Sequence, residues 1–379
     1  DEVCRLLLYA GREAWLDTQS RESINRQRTG IIIGNIALPT NGASTLCEEI
    51  FGAEFDEQLL GRRKRASRNL TEPLNRYVTA LPAGILARAL GLGHGSYTLD
   101  AACASSLYAV KLAADELSSG RADVMLSGGL SRPDCLYTQM GFSQLHALSK
   151  SGRCTPFDER ADGLIVGEGS GILVMKRLSD ALRAGDQIYG TIRGIGLSND
   201  LEGNILAPSS EGQLRAMRAA YADAGWNPNQ VDLIECHATG TPVGDAVEFK
   251  SLKELWSDTE WKPGQCVLGA AKSNVGHLLT GAGGAGLIKT LLAMKHGVLP
   301  PIANFSRPGP KIDLENSPFS ILGNAREWRR RSGNAPRRAA VSAFGFGGIN
   351  AHLLVEEWRR EKSPKTISKP KTMPEQQPG

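Results

Sequence analysis

Short, mostly apolar runs recur along the chain. IIIGNI (31–36), SYTLDAA (96–102), DVMLSGGL (123–130) and GILVMKR (171–177) come first. QIYGTIRGIGL (187–197), VDLIECHA (231–238), CVLGAAKS (266–273), FSILG (319–323), AAVSAFGF (339–346) and AHLLVEEW (351–358) follow. Most are continuously apolar rather than alternating, the pattern of strands covered on both faces. Helical stretches lie between them, so the pattern predicts an α/β layered fold.

The stretch SSEGQLRAMRAAYADAGWNP shows helix punctuation. Ser209 or Ser210 caps its start, Leu214, Met217 and Tyr221 share a face, and Gly225 then Pro228 end it. Each half also carries a helix of small and apolar residues after a strand, 103–119 and 281–297. This repetition predicts two similar lobes packed face to face, 1–184 and 185–358. The opening DEVCRLLLYAGREAW reads as an amphipathic helix rather than a signal peptide. The last stretch, 359–379, is aperiodic and rich in Lys, Pro and Ser, which predicts a disordered linker to another domain.

Charge narrows the partners. The 44 basic and 40 acidic residues leave a net charge of +4, too balanced to point to nucleic acid or an anionic membrane. No apolar run approaches a membrane span. The seven cysteines, at 4, 47, 103, 135, 154, 236 and 266, form no CxxC pair and no zinc-type spacing. Reduced thiols and a cytoplasmic location are expected.

Cys103 stands out because DAACASSL places it among small residues between a strand and a helix. A helix N-terminus offers free N–H groups and a positive dipole end, which favour thiolate. A buried, inert cysteine is the competing reading. His237 (ECHATGTPVGD) and His277 (KSNVGHLLTGAGGAG) also sit where strands turn into helices. Ligands collect at the carboxyl ends of strands in open α/β sheets, so three reactive groups point to one place. His94, His146, His296 and His352 lack that setting.

GAGGAG (281–286) matches a dinucleotide fingerprint literally, but no acidic residue follows at the expected distance, so close helix–strand packing is the better reading. In SAFGFGGIN (342–350), Gly345, Gly347 and Gly348 bracket Phe346. That pattern suits a mobile aromatic gate whose N–H groups aim at an oxyanion, or a plain hairpin turn. Lys272 and Glu248 read either as a buried pair orienting the histidines or as surface charges. GRRKRASRN (61–69) reads as a solvated loop, with an acidic partner as the alternative.

Taken in order, DAACASSL, GRCTPFDERADGLIVGEG (152–169), ECHATGTPVGD, KSNVGHLLTGAGGAG and SAFGFGGINAH resemble the β-ketoacyl synthases of the thiolase superfamily. The likeness covers nearly the whole chain to about Trp358. AACASSLYA and ECHATGT are most similar to synthase domains of polyunsaturated-fatty-acid and iterative type I polyketide synthases.

The resemblance implies a thiolase-like αβαβα fold and decarboxylative condensation of a Cys-bound acyl chain with a malonyl unit. Cys103 would be the acyl-accepting nucleophile, and His237 and His277 the pair acting on malonyl. Lys272 and Glu248 would support them, and Thr239 and Thr241 would hold the pantetheine arm. Phe346, flanked by Gly345 and Gly347, would gate the site and share the oxyanion hole with Cys103. Met140 and Phe142 would shape the pocket.

No metal or resident cofactor is implied, only the phosphopantetheine arm of an acyl carrier protein. A homodimer and neighbouring domains of a larger synthase are the implied partners. The family's opening strand is apparently missing, Ala238 replaces a Gly, and Ile349 replaces a Thr. The competing function is a non-elongating, chain-length-factor-like partner, which would usually lack the cysteine. A biosynthetic thiolase would need a second cysteine after Cys266.

Overall fold

The computed structural model describes residues 2–36, 57–59, 61, 81–133, 136–202, 208–333 and 335–359. The first sheet comprises β1 (Thr29–Gly34), β2 (Ser96–Leu99), β3 (Val124–Ser131) and β4 (Gly169–Lys176), in the order β2-β1-β3-β4. β1 runs parallel to both neighbours, with Ile31 beside Ser96 and Leu126, whereas β4 is antiparallel to β3.

The second sheet holds β5 (Thr191–Asn199), β6 (Leu233–Glu235), β7 (Cys266–Gly269), β9 (Phe319–Ile321), β11 (Arg338–Gly345) and β12 (Ile349–Glu356). Its order is β5-β12-β11-β6-β7-β9. β11, β6, β7 and β9 are parallel, and β12 is antiparallel to both its neighbours. Strands β8 (Val298–Leu299) and β10 (Arg326–Glu327) form a separate ribbon. The run β2-β1-β3-β4 therefore repeats β7-β6-β11-β12 in order and direction.

The helices complete the layers. α1 (Glu2–Asp17) and α2 (Leu81–Leu90) cover the outside of the first sheet, where Leu7, Trp15, Leu86, Ile31 and Ile33 share a core. α3 (Ser105–Ser118) packs on β1 and β3 and also meets β12. After it come α4 (Leu136–Gln144), α5 (Leu178–Ala184), α6 (Ser210–Ala224), α7 (Pro242–Leu255), α8 (Lys272–Val275) and α9 (Ala282–His296). α9 touches β4, β11 and α3, so α3 and α9 form the central layer between the sheets. α6 covers β5 and β12 from outside and packs on α7.

The result is helix, sheet, helix, sheet, helix. Each sheet is sandwiched, which is why its strands read as unbroken apolar runs. β3 is buried at every position. GAGGAG is a packing device: a Cβ on Gly284 would lie 2.8 Å from the carbonyl oxygen of Gly171 on β4.

α6 begins after Ser209 and stops at left-handed Gly225, as its punctuation predicts, although Ser209 makes no side-chain cap bond. Of the basic run 61–69 only Gly61 lies among the described residues, and the tail from 360 onward lies outside them. No helix among the described residues is long and apolar enough to cross a membrane.

A cavity of about 710 Å³ opens between β4 and β5, lined by Val174, Lys176, Ile192, Leu287 and Leu291. None of Cys103, His237 and His277 lines it.

Candidate active site

Cys103 follows β2 through a tight turn. Ala102 takes a left-handed φ of 47°, which costs a non-glycine residue about 1–2 kcal/mol. The turn is held by Ser105, whose Oγ accepts from Ala101 N at 2.8 Å and donates to Ala102 O at 2.6 Å. Asp100 accepts from Ala102 N at 2.9 Å. α3 then begins at Ser105, two residues after the thiol.

Cys103 is 3% exposed. Burial pushes its thiol up to about 11, against the pull of Lys272 and of the backbone N–H groups of Phe346 and Cys103 itself. The expectation that the helix start makes it a thiolate is therefore corrected: desolvation outweighs the dipole and the donors, and the substrate-free residue rests as a thiol.

The Phe346 N–H reaches Cys103 because β11 ends against the turn. A Cβ on Gly345 would sit 3.0 Å from Ala102 Cβ and 3.1 Å from Cys103 N, so a side chain there would crowd the turn. Beyond it, Gly347 and Gly348 have φ of 84° and 78°. The loop is tied down on its far side, where Asp200 N donates to Gly348 O at 2.7 Å. The Phe346 ring packs on Phe142 of α4, centroids 5.7 Å apart, whereas Met140 is exposed. SAFGFGGIN does join two antiparallel strands, and its Phe346 N–H also meets Cys103.

His237 follows β6. Its backbone N–H and that of Ala238 donate to Glu248 of α7 at 2.8 and 2.7 Å. Ala238 is at φ 24°, where a glycine would be unstrained. Thr239 and Gly240 then donate their N–H groups to Asp245 at 3.1 and 3.2 Å, and Phe157 N donates to its other oxygen at 2.8 Å. Thr239 and Thr241 share a hydrogen bond of 2.9 Å between their hydroxyls. Burial raises Glu248 to about 7 and Asp245 to about 6, opposed by these backbone donors.

His277 follows α8. Its N–H donates to Ile165 O at 2.6 Å and its carbonyl accepts from Gly167 N at 3.0 Å, so the 152–169 motif serves as its backbone cradle. Leu279, at φ 43°, donates its N–H to His277 Nδ1 at 3.2 Å. An accepting Nδ1 leaves the ring proton of the neutral imidazole on Nε2.

The two rings meet edge to face, centroids 5.3 Å apart, with Phe344 beside His237 at 5.8 Å. His237 Nδ1 and His277 Nε2 are buried with no hydrogen-bond partner. Burial first, then Lys272, holds both imidazoles well below the usual range, and His277 adds to the effect on His237.

Lys272 is 6% exposed and acts on Cys103, His237 and His277 together. Its own pKa is lowered by burial, against the charges of Glu248 and Glu235. The Lys272–Glu248 pair is an electrostatic one, because both Glu248 oxygens are engaged by backbone N–H groups.

Sequence reasoning missed three supports: Asp245, Glu235 and the Leu279 N–H. Only PVGD, an acid in the first turn of α7, offered a signal. His352 is buried behind the second sheet, bonded to Ser342 Oγ at 3.0 Å and stacked on Tyr221, away from the pair. Cys4, Cys103, Cys154, Cys236 and Cys266 are all unpaired thiols.

Known proteins resemble this chain over most of its length. The family model described as the β-ketoacyl synthase N-terminal domain matches residues 1–181, and the one for its C-terminal domain matches 189–306. A ketoacyl-synthetase C-terminal extension model matches 308–376, overlapping the stretch expected to be a disordered linker.

A polyunsaturated fatty acid synthase from Thraustochytrium sp. is 38% identical over 368 residues, covering 94% of this chain and 17% of that protein. Polyketide synthase PksN of Bacillus subtilis is 40% identical over 287 residues, covering 72% of this chain and 5% of that protein. The chain thus spans a small part of these curated relatives.

Two solved structures show the same fold. The PfaC keto synthase–chain length factor has a TM-score of 0.82 at 38% identity, covering 98% of this chain and 40% of that one. The ketosynthase from module 6 of the bacillaene synthase of Bacillus subtilis 168 has a TM-score of 0.80 at 33% identity, covering 95% of this chain and 60% of that one.

Proposed function

The chain belongs to the β-ketoacyl synthase family, and on that premise we propose that it lengthens a Cys103-bound acyl chain by two carbons, using a malonyl thioester, in fatty acid or polyketide synthesis. One observation carries this reading: two imidazole nitrogens, buried and unpartnered, lie on adjacent rings that feel the charge of the same lysine that acts on a buried thiol. Buried polar atoms are nearly always satisfied, and a substrate oxygen would satisfy these.

In the first half-reaction the Cys103 sulfur attacks an acyl thioester. The carrier thiol departs with the proton that Cys103 loses. The N–H groups of Phe346 and Cys103 receive the developing oxyanion, a pair whose loss of one member typically slows such reactions about 10²–10³-fold. The reaction is thereby divided into two easier steps.

In the second half-reaction a malonyl thioester enters. Its carbon–carbon bond to the carboxylate breaks, carbon dioxide leaves, and the electron pair becomes an enolate. His277 Nε2–H donates to the thioester oxygen, with His237 beside it. Burial with Lys272 opposes protonation of both rings, and a neutral imidazole is a donor that stabilises the enolate oxygen without handing its proton to it. The enolate carbon attacks the acyl-Cys103 carbonyl, the carbon–sulfur bond breaks, and the Cys103 sulfur leaves as a thiolate that takes a proton from solvent to return to the resting thiol.

Thr239 and Thr241 stand beside Asp245, where they would hold the pantetheine arm of an acyl carrier protein. The reading extends to a cytoplasmic homodimer within a multidomain synthase. Among the described residues β2 is an edge strand and Tyr97 is exposed, which supports pairing with a second copy.

Incubation with acyl and malonyl thioesters of a carrier protein, followed by mass spectrometry of the carrier, tests the reaction. A 3-oxoacyl product two carbons longer is expected. Malonyl decarboxylation with no acyl loading would instead assign the non-elongating partner role.

A further inference from the structure

Glu235, on β6 two residues before His237, is 2% exposed and bonded on both oxygens. One accepts from Ala271 N at 2.5 Å, the residue immediately before Lys272. The other accepts from Lys289 Nζ of α9 at 2.7 Å, forming an ion pair whose side chains are 3% and 21% exposed.

Two glycines make room for it. A Cβ on Gly269 would lie 2.7 Å from Glu235 Oε2 and 3.3 Å from Lys289 Nζ, and one on Gly286 would lie 3.0 Å from Glu235 Cγ. The last glycine of GAGGAG is thus accounted for by this carboxylate. A buried ion pair is seldom favoured for stability alone, since apolar residues of similar volume often serve as well or better.

We propose that Glu235 and Lys289 form a positioning pair for the condensing site, in which Glu235 fixes the backbone before Lys272 and keeps that lysine charged while Lys289 holds the carboxylate in place. The proposal rests on the condensing function assigned above. Its physical link is that Glu235 stands second only to Glu248 among the charges favouring protonated Lys272, and Lys272 in turn favours the Cys103 thiolate. Neither role needs contact between Glu235 and substrate. Removing the Glu235 charge lets Lys272 lose its proton at lower pH, so Cys103 loses a cationic neighbour on the alkaline side only.

The test compares wild type, Glu235→Gln and the double variant Glu235→Gln/Lys289→Met. The Gln keeps an acceptor for Ala271 N–H without the charge. The readouts are thermal unfolding, iodoacetamide alkylation of Cys103 at pH 7 and pH 9, and malonyl-pantetheine decarboxylation against pH. Glu235→Gln is expected to alkylate about tenfold more slowly at pH 9, equivalent to one pKa unit, with little change at pH 7. Its decarboxylation should fail about one pH unit earlier on the alkaline side.

The double variant should regain thermal stability while keeping the altered pH behaviour. If it regains both, or if Glu235→Gln alters neither pH readout, the pair merely holds the fold and the proposal is overturned. Should Glu235→Gln not fold, Glu235→Asp keeps the charge but withdraws from Ala271 N–H. A slower decarboxylation at unchanged pH profile is then expected, and an unchanged rate overturns the positioning role. If wild type decarboxylates nothing, the condensing reading fails, while the alkylation ratio still judges Glu235.

Discussion

The two sheets repeat one another, β2-β1-β3-β4 against β7-β6-β11-β12, yet their electrostatics differ. Among the described residues, every buried polar one up to Thr155 is uncharged: Thr29, Asn35, Ser105, Ser106, Ser127, Ser131, Thr138 and Thr155. Asp158, next along the chain, already binds the backbone of Ser306 and Arg307 in the second half. The second sheet's half buries Asp232, Glu235, Asp245, Glu248 and Lys272. Cys103 sits among buried neutral side chains, with exposed Asp100 bonded in its turn and Lys272 as the largest charge acting on it, and burial favours its thiol form. The histidines sit nearer the charges: Glu248 holds the backbone of His237, and burial, followed by Lys272, suppresses protonation of both rings. The same architecture thus supplies a dry thiol on one side and a charge-framed pair of imidazoles on the other.

The largest effect that tests this division is on the nucleophile. Cys103→Ala is expected to abolish acyl loading, seen as loss of the mass increment on the intact protein, with the fold unchanged by circular dichroism. Loading at the wild-type level would break the assignment of the dry side. Next, His277→Ala is expected to slow malonyl decarboxylation about 10²–10³-fold, the typical loss of one preorganised donor. Acyl loading should survive, because the oxyanion donors belong to Phe346 and Cys103.

Stability sharpens the contrast. Asp245→Ala orphans three buried backbone N–H groups, and is expected to cost about 3 kcal/mol or more in denaturant unfolding. Ser105→Ala, its neutral counterpart beside Cys103, is expected to cost about 1 kcal/mol. Equal losses would erase the distinction.

The smallest effect is in the pH profile. Burial and Lys272 hold both imidazoles, His237 and His277, well below an ordinary histidine, so they remain neutral as pH falls through about 6.5. Decarboxylation should therefore show no acid limb at that pH. For stability the sign is fixed by linkage: the unfolded chain takes up protons near pH 6.5 that these folded histidines refuse, so their contribution is present above that pH and is lost as pH falls below it. Glu248 and Asp245, raised to about 7 and 6, act oppositely, with stability decreasing as pH rises through the values between their free and buried states. His277→Gln, which removes one histidine, should flatten the acid-side loss of stability measured by unfolding at pH 5 and 7.

Much of this was legible in the sequence. Each apolar run met a strand, because strands buried on both faces leave an unbroken signal, whereas the two-residue strands Val298–Leu299 and Arg326–Glu327 leave none. Cys103, His237 and His277 stood out because strand ends carry chemistry. What stayed hidden was three-dimensional. Asp245 serves Phe157 across 88 positions, and no local pattern announces such a bond. The thiol's resting state followed from desolvation, which spacing does not encode. The three reactive residues also share a feature invisible in the sequence, a strained residue close by in the chain: Ala102, Ala238 and Leu279 all have positive φ. Such strain persists only where its surroundings enforce it.

The central claim is that the buried thiol and the two imidazoles act successively on one substrate. Single-turnover mass spectrometry tests it most directly: wild type and His237→Ala/His277→Ala are first acylated on Cys103, then mixed with malonyl thioester. Wild type should discharge its acyl group as the 3-oxoacyl product, while the double variant stays acylated on the same timescale. Discharge of both at equal rates would contradict the account.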